Sequence, residues 1–439
     1  MAFGAVVSTP SPSRAFVLTW SSQLPMDSPW SSRIYEFDAA PSGEVSGSTA
    51  VGRVTWPADQ DIDPDWMVAW DDGADHWVAA AEYWDNATMF VPGPIPAQGA
   101  DRRVAATWVL EDGAFGQVAS YIRKLSTGDV NGDGIPDLAI GQKRNASAPS
   151  RVLVHTGPFL PGVGDLVTDA AYTFEMYDYE MPLPLTSSVG SSTPFLHDMD
   201  GDGAAEVMIA STDYVPPRYP GVDLYDYVSN QPGAMLLWTG VTPGAYGAGS
   251  ETAIIEGTCE ARLFGRHGPV GAVGPDPGRT LVAAVASGLS SDGLSERGAV
   301  FLMDLQGVTG TVNITDVSPA VILGDGAYDT MDEFAPLGDL NGDGRDDFVI
   351  TSRWAGGTGR VYVFLGPVEG VRAASTADLV IEGGPEDGVF GANIATWDAD
   401  GDGLTDLLVG AYLSDYGGMN DSGAVHSFSG AAMLAAMTP

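Results

Sequence analysis

Four stretches of this chain set acidic and amide side chains at every second position. They read GDVNGDGIPDLAIG from Gly128, HDMDGDGAAEVMIA from His197, GDLNGDGRDDFVIT from Gly338 and WDADGDGLTDLLVG from Trp397. All follow D-x-[DN]-x-D-G-x-x-[DE] and then turn apolar. In the first, Asp129, Asn131 and Asp133 alternate, so their oxygens converge as the loop wraps. Gly134 permits a backbone reversal that a Cβ would obstruct. Ile135 offers only its carbonyl, and Asp137 closes the ring. The other sets are Asp198, Asp200, Asp202, Ala204 and Glu206; Asp339, Asn341, Asp343, Arg345 and Asp347; and Asp398, Asp400, Asp402, Leu404 and Asp406. Hard oxygens of differing reach suit calcium better than octahedral magnesium or a soft metal. The expectation is about four structural Ca2+ ions, each relieving the repulsion of its carboxylates. An EF-hand opens in the same way but needs a bidentate Glu at loop position twelve and flanking helices. Here position twelve is Ile140, Ile209, Ile350 or Val409, inside an apolar run of β character. A metal-free Asp-Gly turn is the competing reading for any one loop, and four copies in phase weigh against it.

The first aspartates stand at 129, 198, 339 and 398, so the middle gap is about twice the others. A degraded copy fills it. In LFGRHGPVGAVGPDPGRTLVAAVA (263–286), alignment of Leu281 with Leu138 puts Ala272, Gly274, Asp276 and Thr280 at the liganding positions. One carboxylate survives, so this copy is expected to keep its strands and lack a metal. Around each copy the strand signals recur. A Phe-Gly often precedes the loop (115–116, 264–265, 390–391) and an apolar strand follows it. Second strands read SRVLVHTG (150–157), GAMLLWTG (233–240), GAVFLMD (298–304), GRVYVFLG (359–366) and GAVHSFSG (423–430). Closing strands read ETAIIEG (251–257), SPAVILGD (318–325) and ADLVIEG (377–383). The first 110 residues hold no acidic loop but keep the strand pattern. Seven units centre near residues 34, 89, 152, 235, 300, 361 and 425, about 63 residues apart.

Seven units of about four strands predict an all-β fold, a seven-bladed β-propeller. The expected blades are 1–57, 58–110, 111–178, 179–257, 258–325, 326–383 and 384–439, with one, two and five lacking intact calcium loops. A solenoid would need polar end caps, which the sequence does not show. Two sources for the last blade's outer strand stay open: the tail after residue 430, or residues 2–7. No long amphipathic helix is expected.

The Phe-Gly, the D-x-N-G-D-G-x-x-D loop and the Gly-Ala-Val-Tyr-like strand together resemble the FG-GAP repeat family, best known from the integrin alpha-subunit propeller. The resemblance covers residues ~111–430 by motif and 1–110 by strand pattern alone. It implies a calcium ion in each intact loop, between the first two strands of a blade, on the face opposite the usual ligand surface. The repeat occurs in adhesion receptors, secreted enzymes and bacterial proteins, so it specifies fold more closely than function. No Arg-Gly-Asp is present.

Composition narrows the partners. The net charge of −39 argues against nucleic acid and anionic membranes. No apolar run approaches the ~18 residues of a membrane span, so direct insertion is not expected. A single cysteine, Cys259, excludes a disulfide framework within the chain. The start lacks signal-peptide character, which fits either a cytoplasmic protein or a processed one. Two lysines against 17 arginines lean bacterial. Eight of the eleven tryptophans (20, 30, 56, 66, 70, 77, 84, 108) crowd the metal-free region, as a sugar-stacking surface or as extra aromatic core. A Tyr-rich insertion, 211–232, is either a binding loop or a self-packed one. Arg266-His267-Gly268 matches a phosphohistidine-phosphatase tripeptide but has no α/β context. The resulting expectation is a calcium-stabilised, extracytoplasmic module (extracellular, cell-surface or periplasmic) that binds a protein or glycan ligand. The alternative is a secreted polysaccharide lyase or hydrolase with its site at one propeller mouth.

Overall fold

The computed structural model describes residues 2–8, 14–21, 31–38, 52–55, 64–71, 76–82, 87–92, 100–101, 108–111, 120–144, 151–160, 162–175, 194–211, 233–247, 249–257, 264–291, 293–398, 400–415 and 423–437. The Tyr-rich insertion beyond Ser211, and Cys259, lie outside them. Among the described residues the regular secondary structure is almost entirely β-strand, gathered into seven sheets.

In chain order, β1 (Ala2–Ser8), β2 (Arg14–Ser21), β3 (Ser31–Asp38) and β4 (Gly52–Thr55) make the first sheet. The second has β5 (Pro64–Asp71), β6 (His76–Glu82) and β7 (Ala87–Pro92); β8 (Ala100–Asp101) leaves it, and β9 (Trp108–Glu111) completes it. The third has β10 (Ser120–Gly128), β11 (Asp137–Arg144) and β12 (Arg151–His155), then β13 (Gly162–Asp165) and β14 (Tyr172–Glu175). The fourth runs β15 (Pro194–His197), β16 (Glu206–Ser211), β17 (Ala234–Trp238), β18 (Gly244–Tyr246) and β19 (Ala253–Glu256). The fifth runs β20 (Phe264–Gly271), β21 (Leu281–Ala286), β22 (Ala299–Met303), β23 (Gly310–Asn313), helix α1 (Ile314–Val317) and β24 (Ala320–Leu323). The sixth is β25 (Phe334–Gly338), β26 (Asp347–Ser352), β27 (Arg360–Phe364), β28 (Gly370–Ala373) and β29 (Leu379–Glu382). The seventh is β30 (Asn393–Trp397), β31 (Asp406–Ala411) and β32 (Ala424–Phe428), followed by helix α2 (Gly430–Met437).

Units two to six carry a fifth strand beyond the expected four. The connection from third to fourth strand carries a short strand that pairs in parallel with the fourth strand of the preceding sheet: β8 on β4, β13 on β9, β18 on β14, β23 on β19 and β28 on β24. The first five sheets therefore have five strands, one of them lent by the next unit. Within a unit, neighbours pair antiparallel; β10–β11–β12–β14 is typical. First strands lie side by side in a closed order: β1 beside β5, β5 beside β10, then β15, β20, β25, β30 and again β1. Neither expected source supplies the seventh sheet's outer strand. Residues 2–8 form the first strand of sheet one, and the tail forms α2 against β29.

The core lies between successive sheets, and strand alternation builds it. In β17, Met235 and Leu237 pack toward sheet five, whereas Leu236 and Trp238 pack toward sheet three. In β22, Ala299, Phe301 and Met303 face sheet four, and Val300 and Leu302 face sheet six. In β27, Tyr362 and Phe364 face sheet five, and Val361 and Val363 face sheet seven. Strands sandwiched in this way need apolar residues on both faces, which is why they read as unbroken runs rather than alternating patterns. Trp70 and Trp77 are buried and stacked, so for these two the sugar-stacking reading is replaced by core packing. The other six tryptophan side chains lie outside the described residues.

Phe364 is wholly buried, whereas Val371 is 70% exposed. Phe364→Ala is expected to cost roughly 3–5 kcal/mol and Val371→Ala less than about 0.5 kcal/mol in urea unfolding. Similar costs for both would contradict this packing.

Candidate metal centres

Each acidic loop joins the first strand of its sheet to the second: β10 to β11, β15 to β16, β25 to β26 and β30 to β31. The loops wind around their own side chains. Asp129 Oδ1 accepts from the amides of Gly132 (2.7 Å) and Asp133 (3.1 Å), and its Oδ2 from Gly134 (2.6 Å). Asp198 accepts from Gly201 and Gly203, Asp339 from Asp343 and Gly344, and Asp398 from Gly401 and Gly403, all within 2.7–3.0 Å. Third positions Asn131, Asp200, Asn341 and Asp400 accept from the amide two residues on. Fifth positions Asp133, Asp202, Asp343 and Asp402 do the same with Ile135, Ala204, Arg345 and Leu404. Both glycines of every loop have positive φ, from 72° at Gly132 to 93° at Gly203, so the wrap needs glycine twice.

The closing carboxylate is the buried member. Asp137 and Asp347 have no exposed surface, and Asp406 and Glu206 almost none. Asp137 accepts from the Val130 amide (2.9 Å) and, across the sheet, from Gly157 (3.0 Å). Asp347 accepts from Leu340 (2.9 Å) and Gly366 (2.8 Å). Asp406 accepts from Gly430 (2.8 Å), and Glu206 from Met199 (2.7 Å). Burial raises Asp137 and Asp347 to about 6 and Glu206 to about 7, although these amides pull the other way. Carboxylates that resist ionisation when empty are relieved by a bound cation.

The donor set fits a hard cation. Carboxylate oxygens of Asp198, Asp200 and Asp202 lie within 4.8 Å of one another, as do those of Asp398, Asp400 and Asp406. In the first and third loops, Asn131 and Asn341 hold their Nδ2 on Asp133 and Asp343 and keep Oδ1 within the wrap. Among the described residues, the second loop thus gathers three of its sequence-derived carboxylates without Glu206, and the fourth gathers three that include the closing Asp406. The tether from the closing carboxylate to the glycine after the third strand was not read from the sequence, although TG (156–157), LG (365–366) and SG (429–430) recur there.

Sheet five's degraded loop holds a different cation. Arg345, from the acidic loop of sheet six, donates Nη1 to the Gly274 carbonyl (3.1 Å) and Nη2 to the Pro275 carbonyl (2.8 Å). Asp346 Oδ2 accepts from the Ala272 amide (2.6 Å). Asp276, the one surviving carboxylate, instead accepts from Gly278. Ala272, Gly274 and Asp276 therefore join a guanidinium-braced turn. Adjacent loops also touch directly, since the Ala205 amide donates to the Asp129 carbonyl (2.6 Å).

Arg345→Ala is expected to cost roughly 1–2 kcal/mol, with Arg345→Lys recovering only part, because two separate carbonyls need a forked donor. Thermal and urea unfolding of both variants measure this. Wild-type stability in Arg345→Ala would remove the brace.

Comparison with known proteins supports the repeat assignment. The FG-GAP repeat family matches residues 122–152, 334–364 and 390–428, spanning the first, third and fourth acidic loops. The chain is 40% identical over 102 residues to integrin alpha-5 of Xenopus laevis, 21% of this chain and 9% of that protein. It is 38% identical over 86 residues to integrin alpha-PS2 of Drosophila melanogaster (18% and 6%) and 40% identical over 81 residues to human integrin alpha-IIb (18% and 8%). The chain thus spans less than a tenth of the length of these relatives. Solved structures similar over most of the chain include the Dos1 propeller (TM-score 0.45, 11% identity, 93% of this chain and 78% of that one). Another is BBS1N in complex with ARL6DN (TM-score 0.43, 8% identity, 98% and 96%). With acidic loops at the same place in four sheets and three of them matched by the family, this chain carries FG-GAP repeats and is similar in that part to integrin alpha subunits.

Proposed function

We propose that the chain is a seven-bladed β-propeller, bounded blade by blade as the sequence predicts, with calcium in four loops at one end and a protein-ligand surface at the other. The closed order of first strands supports the ring. Asp129, Asn131, Asp133, the Ile135 carbonyl and Asp137 would hold one ion. The corresponding residues from 198 to 206, 339 to 347 and 398 to 406 would hold three more. The ions' part is structural: each neutralises a loop that the fold has already wound. Loops this exposed suit the high free calcium outside the cytoplasm, which supports an extracytoplasmic setting.

The observation that carries a binding role lies at the far end. Antiparallel pairing puts the second-to-third and inter-sheet connections opposite the acidic loops. There Tyr328 is 62% exposed and Trp354 50% exposed, with the Arg353 guanidinium 6.0 Å from the Trp354 ring and 3.1 Å from Asp332. Tyr328 and Thr330 hold φ of 64° and 50°, a costly backbone for side chains of this kind. The Tyr328 amide donates to Ser295 and the Ser352 hydroxyl to Asp329, so these loops are tied together. Large rings held out on fixed loops are what interface hot spots are made of. Exposed ring faces also admit a glycan, the second reading.

Screening a glycan array and a displayed-peptide library in millimolar calcium tests the binding role. Hits are expected to be lost in Tyr328→Ala/Trp354→Ala with its melting temperature unchanged. Blank screens, or hits that survive the double change, would overturn it. The metal reading has its own check. At free calcium ten times Kd, each site adds about 1.4 kcal/mol, and four about 6 kcal/mol. Asp137, Glu206 and Asp347 have raised folded-state values, so in chelator their stabilisation is present at low pH and lost as pH rises through about 6 to 7. The gap in melting temperature between calcium and chelator should therefore widen from about pH 5 to about pH 8. A gap that is absent or constant contradicts calcium at these carboxylates.

A further inference from the structure

A buried histidine sits in the joint between sheets four and five. His267 lies on β20 directly opposite Ala284 of β21, and Ala284 packs toward sheet four, so the imidazole faces the same way. It is 4% exposed. Its ring meets that of Phe195, on β15, edge-on, with centroids 6.4 Å apart and planes at 71°. The neighbouring residue must be small for this, because a Cβ at Gly268 would lie 3.1 Å from Phe195 Cε2. Phe195 in turn packs against the apolar core of the joint, which includes Met208, Ala284 and Phe301.

Neither Nδ1 nor Nε2 of His267 has a hydrogen-bond partner among the described residues. A buried ring without an orienting partner does not suit the nucleophile's part that Arg266-His267-Gly268 would give it. The strands packed against β20 bring few titratable groups. β21 and β25 carry none. β15 carries His197, whose ring also stands beside Phe195, at 6.1 Å. β16 begins at Glu206 and β26 at Asp347, each under its own acidic loop. On β20 itself the side chain of Arg266 lies outside the described residues. None of the described groups acts on His267: burial holds it down to about 4, and the Met208 backbone opposes this only in part.

We infer that the joint between sheets four and five is an acid-sensitive seam, closed while His267 is neutral and opened when its ring takes a proton. A charge in this apolar setting has no partner to offset its desolvation, so protonation is coupled to exposure of the ring. Exposed, the ring titrates near its ordinary 6.5; enclosed, near 4. The stability that the neutral ring lends is therefore complete above about 6.5 and is lost as pH falls toward 4. The seam depends neither on calcium nor on the Tyr328–Trp354 surface.

Hydrogen exchange of the full chain at pH 7 and pH 5, corrected for intrinsic rates, tests the seam. Amides of β20 and β21 are expected to exchange roughly twentyfold faster at pH 5, and those of β27 to change much less. His267→Leu, which leaves an apolar side chain in the joint, should abolish the rise. His155, also pushed down to about 4 by burial, is the same in both proteins and cancels in the comparison. A rise that persists in the variant would overturn the inference, as would one shared equally by β27. Should the variant not fold, NMR of the wild-type His267 ring gives the answer directly. The ring is expected to stay neutral at pH 5.5, and titration near 6.5 in the folded protein would overturn the seam.

Discussion

A buried carboxylate that bonds two separate pieces of backbone is the contact on which the acidic units of sheets three and six depend. Asp137 and Asp347 each hold an amide of their own loop and the amide of the glycine that ends the third strand. Asp406 holds the Gly430 amide, where the chain turns into α2. One side chain thereby fixes the wrap of the loop, the start of the second strand and the exit of the third. The approach is close enough that a Cβ at Gly157 would lie 2.6 Å from Ile135 Cγ2, and one at Gly366 would lie 2.5 Å from the Asp346 carbonyl oxygen. Such a carboxylate is expensive to ionise in a dry setting, a cost that a cation shared with the wrap above it would offset.

Strand lending supplies the second constraint. A fourth strand at the outside of a sheet would leave its edge groups open, and each unit covers its predecessor's edge with a short parallel strand. Sheet six is the exception that shows the rule. Its fourth strand, β29, receives α2 instead of a strand, and Val380 stays 38% exposed. Units coupled in this way cannot be shifted singly. The acidic loops add a second line of coupling through Ala205 to Asp129 and through Arg345 and Asp346 to the loop of sheet five.

Much of this was legible in the sequence, for physical reasons. The alternation of Asp129, Asn131 and Asp133 with two glycines dictates a wrap whatever the surroundings, so the loops could be read one residue at a time. The apolar runs RVLVH, AMLLW and AVFLM could be read as strands because they are packed on both faces. The lent strands were not legible: GVGD, GAY and GTVN are only three or four residues long, open on an exposed glycine and are half-exposed, and only their place beside a neighbouring sheet makes them strands. Nor could the brace in sheet five be read, since Arg345 lies about 70 residues from the carbonyls it bonds. Trp70 and Trp77 show the same limit from the other side. Their type suits a surface or a core, and only packing against Phe159 and sheet three decides between them.

The most direct test is the calcium content of the purified chain after gel filtration in trace calcium, measured by atomic emission against protein concentration. The four wound loops predict about four ions per chain, falling to about three when Asp347 is replaced by Ala in a protein that stays folded. A chain that carries no calcium after equilibration at millimolar concentration would contradict the metal assignment and leave the acidic loops as hydrogen-bonded turns.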